Sequence, residues 1–365
     1  MRKTTRAAMI GTAAAALLVS SFTLSASAAP EHSGSHGKPK PPAADTLGGL
    51  GLRADLRIGT AVDMAALAAD APYRAKAASE FTSVTPENVM KWEVVEQERG
   101  TYDWAAADEL VDFARANGQL VRGHTLLWHN QLPAWLTEGD FSADELRAIL
   151  RKHITDEAGH FKGRIWQWDV VNEAFNDDGT LRDSIWLRKL GPGYIADAFR
   201  WAHQADPKAK LFINDYNIEG VNAKSTALYD LVVELRKHRV PIDGVGIQGH
   251  LAVQYNAPHD IADNMKRFDD LGLETAITEA DVRIPMPSDS TKQEAQAEGY
   301  DVLLRGCLLT RHCTDFTVWG FTDKYSWVPD TFEGEGAANL FDENYTAKPA
   351  YKALTQDLKL AAGRN

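Results

Sequence analysis

Two glutamates in the sequence stand directly after runs that are typical of buried strands. Glu173 follows Asn172 and the run IWQWDVV (165–171), and Glu279 follows the run TAIT (275–278). Such runs, rich in β-branched and aromatic residues, are typical of strands that are covered on both faces. Because the end of a strand holds a side chain in a fixed position, both glutamates are candidates for catalytic work.

Two facing carboxylates can break a glycosidic bond, since one protonates the leaving oxygen and the other attacks the anomeric carbon. A single glutamate at a strand end is as often a solvated loop residue, and a lone tryptophan more often belongs to the core. Here several tryptophans lie at or just beyond strand ends, where their rings could stack on the apolar faces of sugars. They are Trp92, Trp128, Trp135, Trp319 and Trp327.

A second set of polar residues lies near Glu279 in the predicted fold. Gln248 and His250 are two residues apart, so both project to the same side of an extended backbone. Asp281 likewise lies two residues after Glu279. This spacing allows His250 to bridge the two acids.

Other kinds of chemistry find little support in the sequence. His124 and His129 would need further ligands to hold a metal, and the chain contains neither an HExxH pair nor a GxSxG elbow. The glycines of GGLGL (48–52) precede the first predicted strand, whereas a phosphate loop would follow it. We therefore expect no metal and no cofactor, and we expect the two histidines to hydrogen-bond to sugar or carboxylate.

The elements that must position these residues can be read along the chain as eight β-prone segments, each followed by a helical pattern. They are RIGTAV (57–62), FTSVT (81–85), QLVRGH (119–124), RIWQWDVV (164–171), KLFIND (210–215), GVGIQ (244–248), ETAIT (274–278) and DFTVW (315–319). Strands that alternate with helices form parallel sheets, and eight such units predict an α/β fold, the (β/α)8 or TIM barrel. Active sites of this fold lie at the C-terminal strand ends. Glu173 and Glu279, at the fourth and seventh strands, should face each other there.

Composition divides the chain into three parts. A basic start, an apolar run and the small-residue pattern ASA (26–28) predict a signal peptide over residues 1–28. Residues 29–48 are rich in Pro, Gly, Ser, His and Lys and are predicted to be a disordered linker. A single catalytic domain is expected over residues 49–362, in a protein that is secreted and extracellular.

The charge of the mature chain limits its partners. Removal of Arg2, Lys3 and Arg6 with the signal peptide leaves 36 of the 39 basic residues against 51 acidic ones, a net charge of −15. Such a surface repels phosphate groups, which argues against nucleic acid or an anionic membrane as a partner. No further stretch has the length of a membrane span. We expect a soluble monomer.

The two cysteines of the chain, Cys307 and Cys313, lie close together in CLLTRHC. Free thiols or a metal site would be considered in a cytosolic protein, but in an exported one a close pair most simply forms a disulfide. Because the closed loop is short, the expected stabilisation is about 2–3 kcal/mol. We predict a local covalent link with no redox role.

The strand-end segments together resemble those of glycoside hydrolase family 10, the endo-β-1,4-xylanases. The matching motifs, in order between about Gly51 and Leu358, are ENVMKW, GHTLLWH, WDVVNEAF, NDYN, QGH, ITEADV and WGFTDKYSW. The resemblance implies that Glu173 is the general acid/base and Glu279 the nucleophile of a retaining enzyme. Its substrates would be xylan and xylo-oligosaccharides. One departure is Ala280, where the family usually has a large aliphatic residue.

The resemblance also implies a set of residues that bind the substrate. Those that match the glycone-side binders of the family are Glu87, Asn88, Lys91, His124, Trp128, Gln131, Trp319 and Trp327. Asn172 would contact the 2-hydroxyl of the sugar being cleaved, and Tyr216 would stack on the leaving side. Gln248, His250 and Asp281 would support the nucleophile.

Two other interpretations are open at this point. The same barrel could be a β-1,4-glucanase, or cellulase. Xylose lacks the 5-hydroxymethyl group of glucose, so bulky residues near the cleaved sugar, for which Trp319 and Trp327 are candidates, would favour xylan. A non-catalytic carbohydrate-binding protein on a decayed barrel would have lost a carboxylate, whereas Glu173 and Glu279 are both present.

Overall fold

The computed structural model describes residues 42–363, so the predicted signal peptide (1–28) and most of the predicted linker (29–48) lie outside the described residues. Helix α1 (Leu47–Arg53) starts before the predicted domain boundary at residue 49. The Thr46 side chain caps this helix by accepting a hydrogen bond from the Gly49 N–H, and Leu47 is buried in the core. Residues 47 and 48 therefore belong to the folded domain, and composition alone placed the end of the linker two residues too late.

Eight parallel strands close into a barrel. The strands of the described residues are β1 (Arg57–Val62), β2 (Ser83–Pro86), β3 (Leu120–His124), β4 (Gln167–Asn172), β5 (Lys210–Asp215), β6 (Gly244–Ile247), β7 (His250–Ala252), β8 (Glu274–Pro285), β9 (Cys313–Val318) and β10 (Glu335–Gly336). The barrel order is β1, β2, β3, β4, β5, β6, β8 and β9, and β9 pairs with β1 to close the sheet. The predicted (β/α)8 barrel is confirmed.

The helices lie between the strands in the alternating order that the sequence predicts. The remaining helices are α2 (Met64–Ala69), α3 (Ala71–Glu80), α4 (Trp92–Val95), α5 (Ala105–Ala116), α6 (Ala134–Thr137), α7 (Ala143–His160), α8 (Ile185–Leu190), α9 (Tyr194–Ala205), α10 (Ala223–Lys237), α11 (Ile261–Asp269), α12 (Ser290–Leu309), α13 (Val328–Thr331) and α14 (Pro349–Ala362), with a 3-10 turn at Asp323–Tyr325. Between residues 42 and 363, no helix is both long enough and apolar enough to cross a membrane.

Helix α7 shows how local sequence starts and orients such a helix. Ser142 accepts a hydrogen bond from the Glu145 N–H, and the Glu145 carboxylate accepts one from the Ser142 N–H, so two otherwise unpaired N–H groups are satisfied. Leu146, Leu150 and Ile154 recur at intervals of four residues and are all buried. This spacing forms one apolar face, which packs the helix onto the barrel.

Each candidate carboxylate follows or adjoins a bulge in its strand. In β4 the extra residue is Val170, three residues before Glu173. In β8 it lies between Ile277 and Ala280, beside Glu279. A bulge leaves one residue unpaired and turns the strand locally, which re-aims the side chains that follow it. The bulges thus help to direct both carboxylates toward the barrel mouth.

The predicted disulfide is confirmed. Cys307, in α12, is bonded to Cys313, the first residue of β9, and their Cα atoms are 5.3 Å apart. The bond spans a sequence separation of 6 residues. It therefore joins the last turns of a surface helix to the start of the next barrel strand.

Candidate active site

A cleft of about 1650 Å³ opens at the C-terminal ends of the barrel strands, and both Glu173 and Glu279 line it. The other predicted site residues in its wall are Lys91, His124, Trp128, Gln131, Asn172, Tyr216, Gln248, His250, Trp319 and Trp327. Asp281 stands immediately behind the wall, in contact with His250. The fold therefore brings together residues that are up to 236 positions apart in the chain, from Lys91 to Trp327.

Two predicted glycone-side residues, Glu87 and Asn88, do not line the cleft themselves. Asn88 reaches it through Lys91, whose Nζ donates a hydrogen bond of 3.0 Å to the Asn88 Oδ1. Burial and, to a smaller extent, the nearby Asp63 raise the pKa of Glu87 to about 7, although Lys91 opposes them. Burial lowers the pKa of the Lys91 ammonium, which lies 5.2 Å from the centre of the Trp128 ring.

Two of the tryptophans predicted to be sugar platforms do not lie in the cleft wall. Trp92 is only 4% exposed and stacks on His153, with ring centres 3.6 Å apart. Its Nε1 donates to a Glu96 carboxylate oxygen at 2.8 Å, and Trp135 donates to the Glu96 carbonyl at 2.9 Å. The prediction was wrong for this pair because proximity to a strand end does not determine which way a loop side chain points.

Glu279 occupies the more deeply buried of the two carboxylate positions. Its Oε1 accepts a hydrogen bond of 2.7 Å from the Asn214 Nδ2, and its Oε2 lies 3.2 Å from the His250 Nε2. Burial alone would raise the pKa of Glu279, but the attraction of His124 and the contact with His250 outweigh burial and lower it. The carboxylate is therefore held in its ionised form, as a nucleophile requires.

His250 bridges Glu279 and Asp281. The parallel register of β7 and β8 sets His250 opposite Asp281, and its Nδ1 lies 3.0 Å from the Asp281 Oδ1. Trp327 donates a hydrogen bond of 2.7 Å to the other Asp281 oxygen. Burial lowers the pKa of His250, but Asp281 and Glu279 together raise it to about 10. His250 is thus a cation at neutral pH.

This bridge depends on a strand that is longer than predicted. The sequence places the end of the seventh barrel strand at residue 278, whereas β8 continues to Pro285. Beyond the barrel rim it pairs with β7 on one side and with β10 on the other. Pairing with β7 and β10 provides hydrogen-bond partners for the backbone of this extension. Glu279 and Asp281 are therefore held in one rigid strand.

Glu173 has a different environment. Its backbone lies in the left-handed region with a φ of 57°, and two hydrogen bonds hold it there, one from its N–H to the Asn214 carbonyl and one from the Arg182 Nε to its own carbonyl. The carboxylate accepts hydrogen bonds from the Trp128 Nε1 at 2.8 Å and from the Gln248 Nε2 at 3.2 Å. Its side chain is 15% exposed, against 6% for that of Glu279.

Asn214 is a site residue that the sequence interpretation missed. Its Nδ2 donates to the Asn172 Oδ1 at 2.9 Å as well as to Glu279, and Gln248 donates to the same Asn172 oxygen at 3.3 Å. A continuous chain of hydrogen bonds therefore links Glu279 to Glu173. The sequence did indicate this residue, because Asn214 is a polar residue at the end of the apolar run KLFIND.

Asp169 was also missed, although it is a charged residue within a predicted buried strand. Its Oδ2 lies 3.0 Å from the His124 Nδ1 and accepts a hydrogen bond of 3.1 Å from the Arg122 Nε. His124 is 4.0 Å from Glu279 and packs edge-on against Trp319. Asp169 thus orients a histidine of the cleft wall from below.

Tyr216, predicted to stack on the leaving side, is held by two cations. The Lys224 Nζ lies 3.4 Å from the centre of the ring, and Arg182 donates a hydrogen bond of 2.8 Å to the Tyr216 hydroxyl. Lys224 is buried and is paired with Asp215 at 2.9 Å. The ring position is therefore set by these two cationic side chains, of which Lys224 is buried.

Comparison with known proteins shows which family the chain belongs to. The family model described as glycosyl hydrolase family 10 matches residues 51–357. The chain belongs to glycosyl hydrolase family 10. The resemblance inferred from the strand-end motifs is confirmed.

Relatives of this family 10 hydrolase are known from fungi and bacteria. It is 46% identical over 311 residues to an endo-1,4-beta-xylanase of Agaricus bisporus, covering 84% of this chain and 93% of the relative. It is also 46% identical over 285 residues to endo-1,4-beta-xylanase B of Thermotoga neapolitana, covering 78% and 82%. The crystal structure of xylanase 10B from Thermotoga petrophila RKU-1 in complex with xylobiose matches with a TM-score of 0.84 at 43% identity, covering 87% and 98%.

The site of this family 10 hydrolase can perform acid–base and nucleophilic chemistry with side chains alone. Glu279 is buried and ionised, and both it and Glu173 line the cleft, where carboxylates can act as a nucleophile or as a general acid and base. Within residues 42–363, no group of three or more His, Cys, Asp or Glu side chains is arranged to hold a metal ion. The His124 Nδ1 lies 3.0 Å from an Asp169 carboxylate oxygen, and the His129 Nδ1 lies 4.0 Å from a Glu173 carboxylate oxygen.

Proposed function

We propose that this family 10 hydrolase is a secreted endo-1,4-β-xylanase that cleaves internal bonds of xylan with retention of anomeric configuration. The observation that carries the proposal is the pair of carboxylates in one cleft with different environments. Glu279 is ionised and supported by a histidine cation, and Glu173 is hydrogen-bonded to Trp128 and Gln248 on the wall. The endo-1,4-beta-xylanases at 46% identity support the choice of xylan as substrate.

The size and lining of the cleft support cleavage within a chain rather than at its end. A volume of about 1650 Å³ exceeds that of a typical pocket for one small ligand. Residues predicted to bind the glycone, such as Lys91 and Gln131, follow β2 and β3, while Tyr216 follows β5 on the other side of Glu173. A polysaccharide can therefore extend to both sides of the cleaved bond.

The mechanism is a double displacement. The Glu279 carboxylate attacks the anomeric carbon while Glu173 gives its proton to the leaving oxygen, and a glycosyl ester forms on Glu279. Glu173, now ionised, removes a proton from water, which attacks the same carbon and releases Glu279. Two inversions restore the β configuration. The cation on His250 stabilises Glu279 each time it leaves as a carboxylate.

Secretion and a monomeric state complete the proposal. The N-terminal pattern of residues 1–28 is that of a signal peptide. Expression of the full chain in a secreting host should yield extracellular protein that lacks residues 1–28, as read by N-terminal sequencing. Light scattering should give the mass of one chain.

The substrate is tested by the release of reducing sugar from xylan and from carboxymethylcellulose. We expect xylan to be hydrolysed to short oligosaccharides, with a rapid fall in viscosity that marks internal cleavage. Equal or greater turnover on carboxymethylcellulose would favour the β-1,4-glucanase interpretation instead. Release of single sugars without a fall in viscosity would contradict internal cleavage.

The roles of the two carboxylates are tested by removing each side chain in turn. In Glu173→Ala the nucleophile is intact, so an aryl xylobioside with an acidic phenol should still glycosylate the enzyme, whereas xylan hydrolysis should fall by orders of magnitude. Azide needs no general base, and it should restore turnover of the aryl substrate with a β-configured glycosyl azide. Glu279→Ala should lose activity on both substrates, and azide should then give the α-configured glycosyl azide.

Two outcomes would reject this assignment. One is that Glu173→Ala loses activity on the aryl substrate as completely as it loses activity on xylan. The other is that azide gives the same anomer from both variants. In a retaining enzyme azide should attack the anomeric carbon from one face in Glu173→Ala and from the opposite face in Glu279→Ala, so the two products should differ. Folding of each variant is checked by its far-UV circular dichroism and its thermal midpoint, so that a loss of structure is not read as a loss of chemistry.

A further inference from the structure

Arg182 makes contacts that the proposed mechanism does not use. It lies 9 residues after Glu173, at the end of the segment 174–182, which leaves β4 and is called here the 174–182 loop. The Arg182 N–H donates a hydrogen bond of 2.7 Å to the Ala174 carbonyl and so closes this loop. The side chain of Arg182 is thereby returned to the point where Glu173 leaves the strand.

The guanidinium group of Arg182 donates hydrogen bonds to three different residues. Its Nε donates to the Glu173 carbonyl at 3.0 Å. Its Nη2 donates to the Phe175 carbonyl at 3.1 Å and to the Tyr216 hydroxyl at 2.8 Å. Because a planar guanidinium presents its donors in a rigid fork, these bonds fix the positions of Glu173, Phe175 and Tyr216 relative to one another.

The backbone of Glu173 needs such support because its conformation is unfavourable. Its φ of 57° lies in the left-handed region, which a residue other than glycine adopts only where its surroundings impose it. Strand β4 ends at Asn172, so the Glu173 carbonyl lies beyond the sheet ladder and takes its hydrogen bond from Arg182. The Glu173 N–H donates to the Asn214 carbonyl at 2.8 Å. These two contacts hold the peptide groups on both sides of the Glu173 Cα.

The position of Arg182 is in turn tied to a second barrel strand. The Tyr216 ring, whose hydroxyl accepts from Arg182, lies against Lys224, which is buried and paired with Asp215 at 2.9 Å. The Asp215 carboxylate also accepts a hydrogen bond of 3.2 Å from the Phe175 N–H. Asp215 is the last residue of β5. The guanidinium of Arg182 therefore connects the end of β4, where Glu173 lies, to the end of β5.

We propose that Arg182 is a positioning residue for acid catalysis, which holds the backbone of Glu173 so that its carboxylate meets the leaving oxygen. Arg182 acts through Glu173 and exchanges no proton with the substrate. This role rests on the proposed function, because it takes Glu173 as the general acid. General acid catalysis contributes roughly 100- to 10,000-fold to a rate, and a displacement of about 1 Å can cost about 100-fold. Loss of the guanidinium should therefore remove much of the acid contribution.

The attack by the nucleophile should depend on Arg182 far less than the proton transfer does. Glu279 is held by the Asn214 Nδ2 at 2.7 Å and by the His250 Nε2 at 3.2 Å, and it lies in β8, on a different strand from Glu173. A substitution of Arg182 should therefore separate the two halves of the first chemical step. A general loss of structure would impair both halves alike.

The test varies the leaving group, because the need for an acid depends on it. A dinitrophenyl β-xylobioside releases a strongly acidic phenol that leaves without a proton, whereas a phenyl β-xylobioside needs one. For both substrates kcat/KM reports the step that forms the glycosyl ester on Glu279. Arg182→Met keeps an unbranched apolar stem and removes the guanidinium. It should lower kcat/KM by about 10- to 100-fold for the phenyl substrate and by less than about threefold for the dinitrophenyl substrate.

A second substitution separates the geometry of the guanidinium from its charge. Arg182→Lys keeps the positive charge, but a single ammonium group does not reproduce the planar fork of donors. It should therefore show the same dependence on the leaving group as Arg182→Met. Arg188→Met is the matched control, because Arg188 is 54% exposed, pairs with Asp183 and does not line the cleft. Its kcat/KM for both substrates should equal that of the wild type.

Each outcome separates this role of Arg182 from the proposed function. Wild-type enzyme that cleaves neither xylan nor the aryl xylobiosides would reject the proposed function itself. With an active wild type, equal losses on the two aryl substrates in Arg182→Met would overturn the positioning role, and so would unchanged values on both. Full activity of Arg182→Lys would also overturn it, because the effect would then belong to the charge. Thermal midpoints check the folding of each variant, and Arg182→Lys gives the same comparison of leaving groups if Arg182→Met does not fold.

Discussion

The cation on His250 should set the acid limit of activity, and the substitution His250→Gln tests this directly. Glutamine can place an amide near the position of the Nε2, 3.2 Å from the Glu279 carboxylate. It keeps a hydrogen-bond donor there but carries no charge, and it cannot reach Asp281 at the same time. The variant therefore removes the positive charge while it leaves the nucleophile in place.

The size of the effect follows from the contacts of His250. Burial would lower the pKa of His250, yet Asp281 and Glu279 raise it from 6.5 to about 10. At about 1.36 kcal/mol per pH unit, the two carboxylates outweigh burial by about 5 kcal/mol. Asp281 contributes more of this attraction than Glu279 does, so at most half of it, up to about 2.5 kcal/mol, acts on the ionised form of Glu279.

The assay is the pH profile of kcat/KM on an aryl β-xylobioside. Removal of the cation makes ionisation of Glu279 less favourable, so the acid limb of the profile should move to higher pH. On the acid side of the profile the variant should lose up to roughly 70-fold in kcat/KM. His238→Gln is the matched control, because His238 is 62% exposed, pairs with Glu234 and does not line the cleft. Its profile should match that of the wild type.

The same substitution should change how stability depends on pH. A histidine whose pKa is raised on folding stabilises the protein fully below pH 6.5, and this contribution is lost as the pH rises through about 10. The wild type should therefore lose free energy of unfolding between these values, and His250→Gln should show a flatter dependence. If the acid limb of His250→Gln coincides with that of the wild type, the charge on His250 does not support Glu279 and the reasoning is wrong.

Two further predictions concern stability. Arg122→Met should lower the free energy of unfolding by about 3–5 kcal/mol in a denaturant titration, because it leaves Asp169 and Asp315 buried without their cation; a loss below about 1 kcal/mol would contradict this account. The pair Cys307→Ser and Cys313→Ser should lower it by about 2–3 kcal/mol with kcat unchanged, and thiol alkylation of the unreduced, denatured wild type would show that the bond is absent.

The sequence by itself determined the barrel and the two carboxylates. Strand and helix patterns depend on neighbours within a few residues, so RIGTAV and KLFIND predict β1 and β5 with the same bounds as the structure. The end of a buried strand is also a local feature, marked by the change from apolar to polar residues. Glu173 and Glu279 could be found for this reason, and the same rule would have found Asn214.

Only the tertiary structure decided which side chains enter the cleft. Trp92 and Trp128 both lie near strand ends, yet Trp92 stacks on His153 in the core while Trp128 lines the cleft. The direction of a loop side chain depends on partners that are distant in sequence, and no local pattern records them. The extension of β8 to Pro285 likewise depends on pairing with β7 and β10.

The tertiary structure also decided which groups of the site carry a charge. A sequence spacing allowed His250 to bridge Glu279 and Asp281, but only the parallel register of β7 and β8 sets His250 opposite Asp281 and within 3.2 Å of Glu279. Burial by the surrounding barrel then strengthens the attraction between these charges, since it removes the water that would screen them. The sequence therefore specifies which groups can ionise, and their packing in three dimensions determines which of them carry charge.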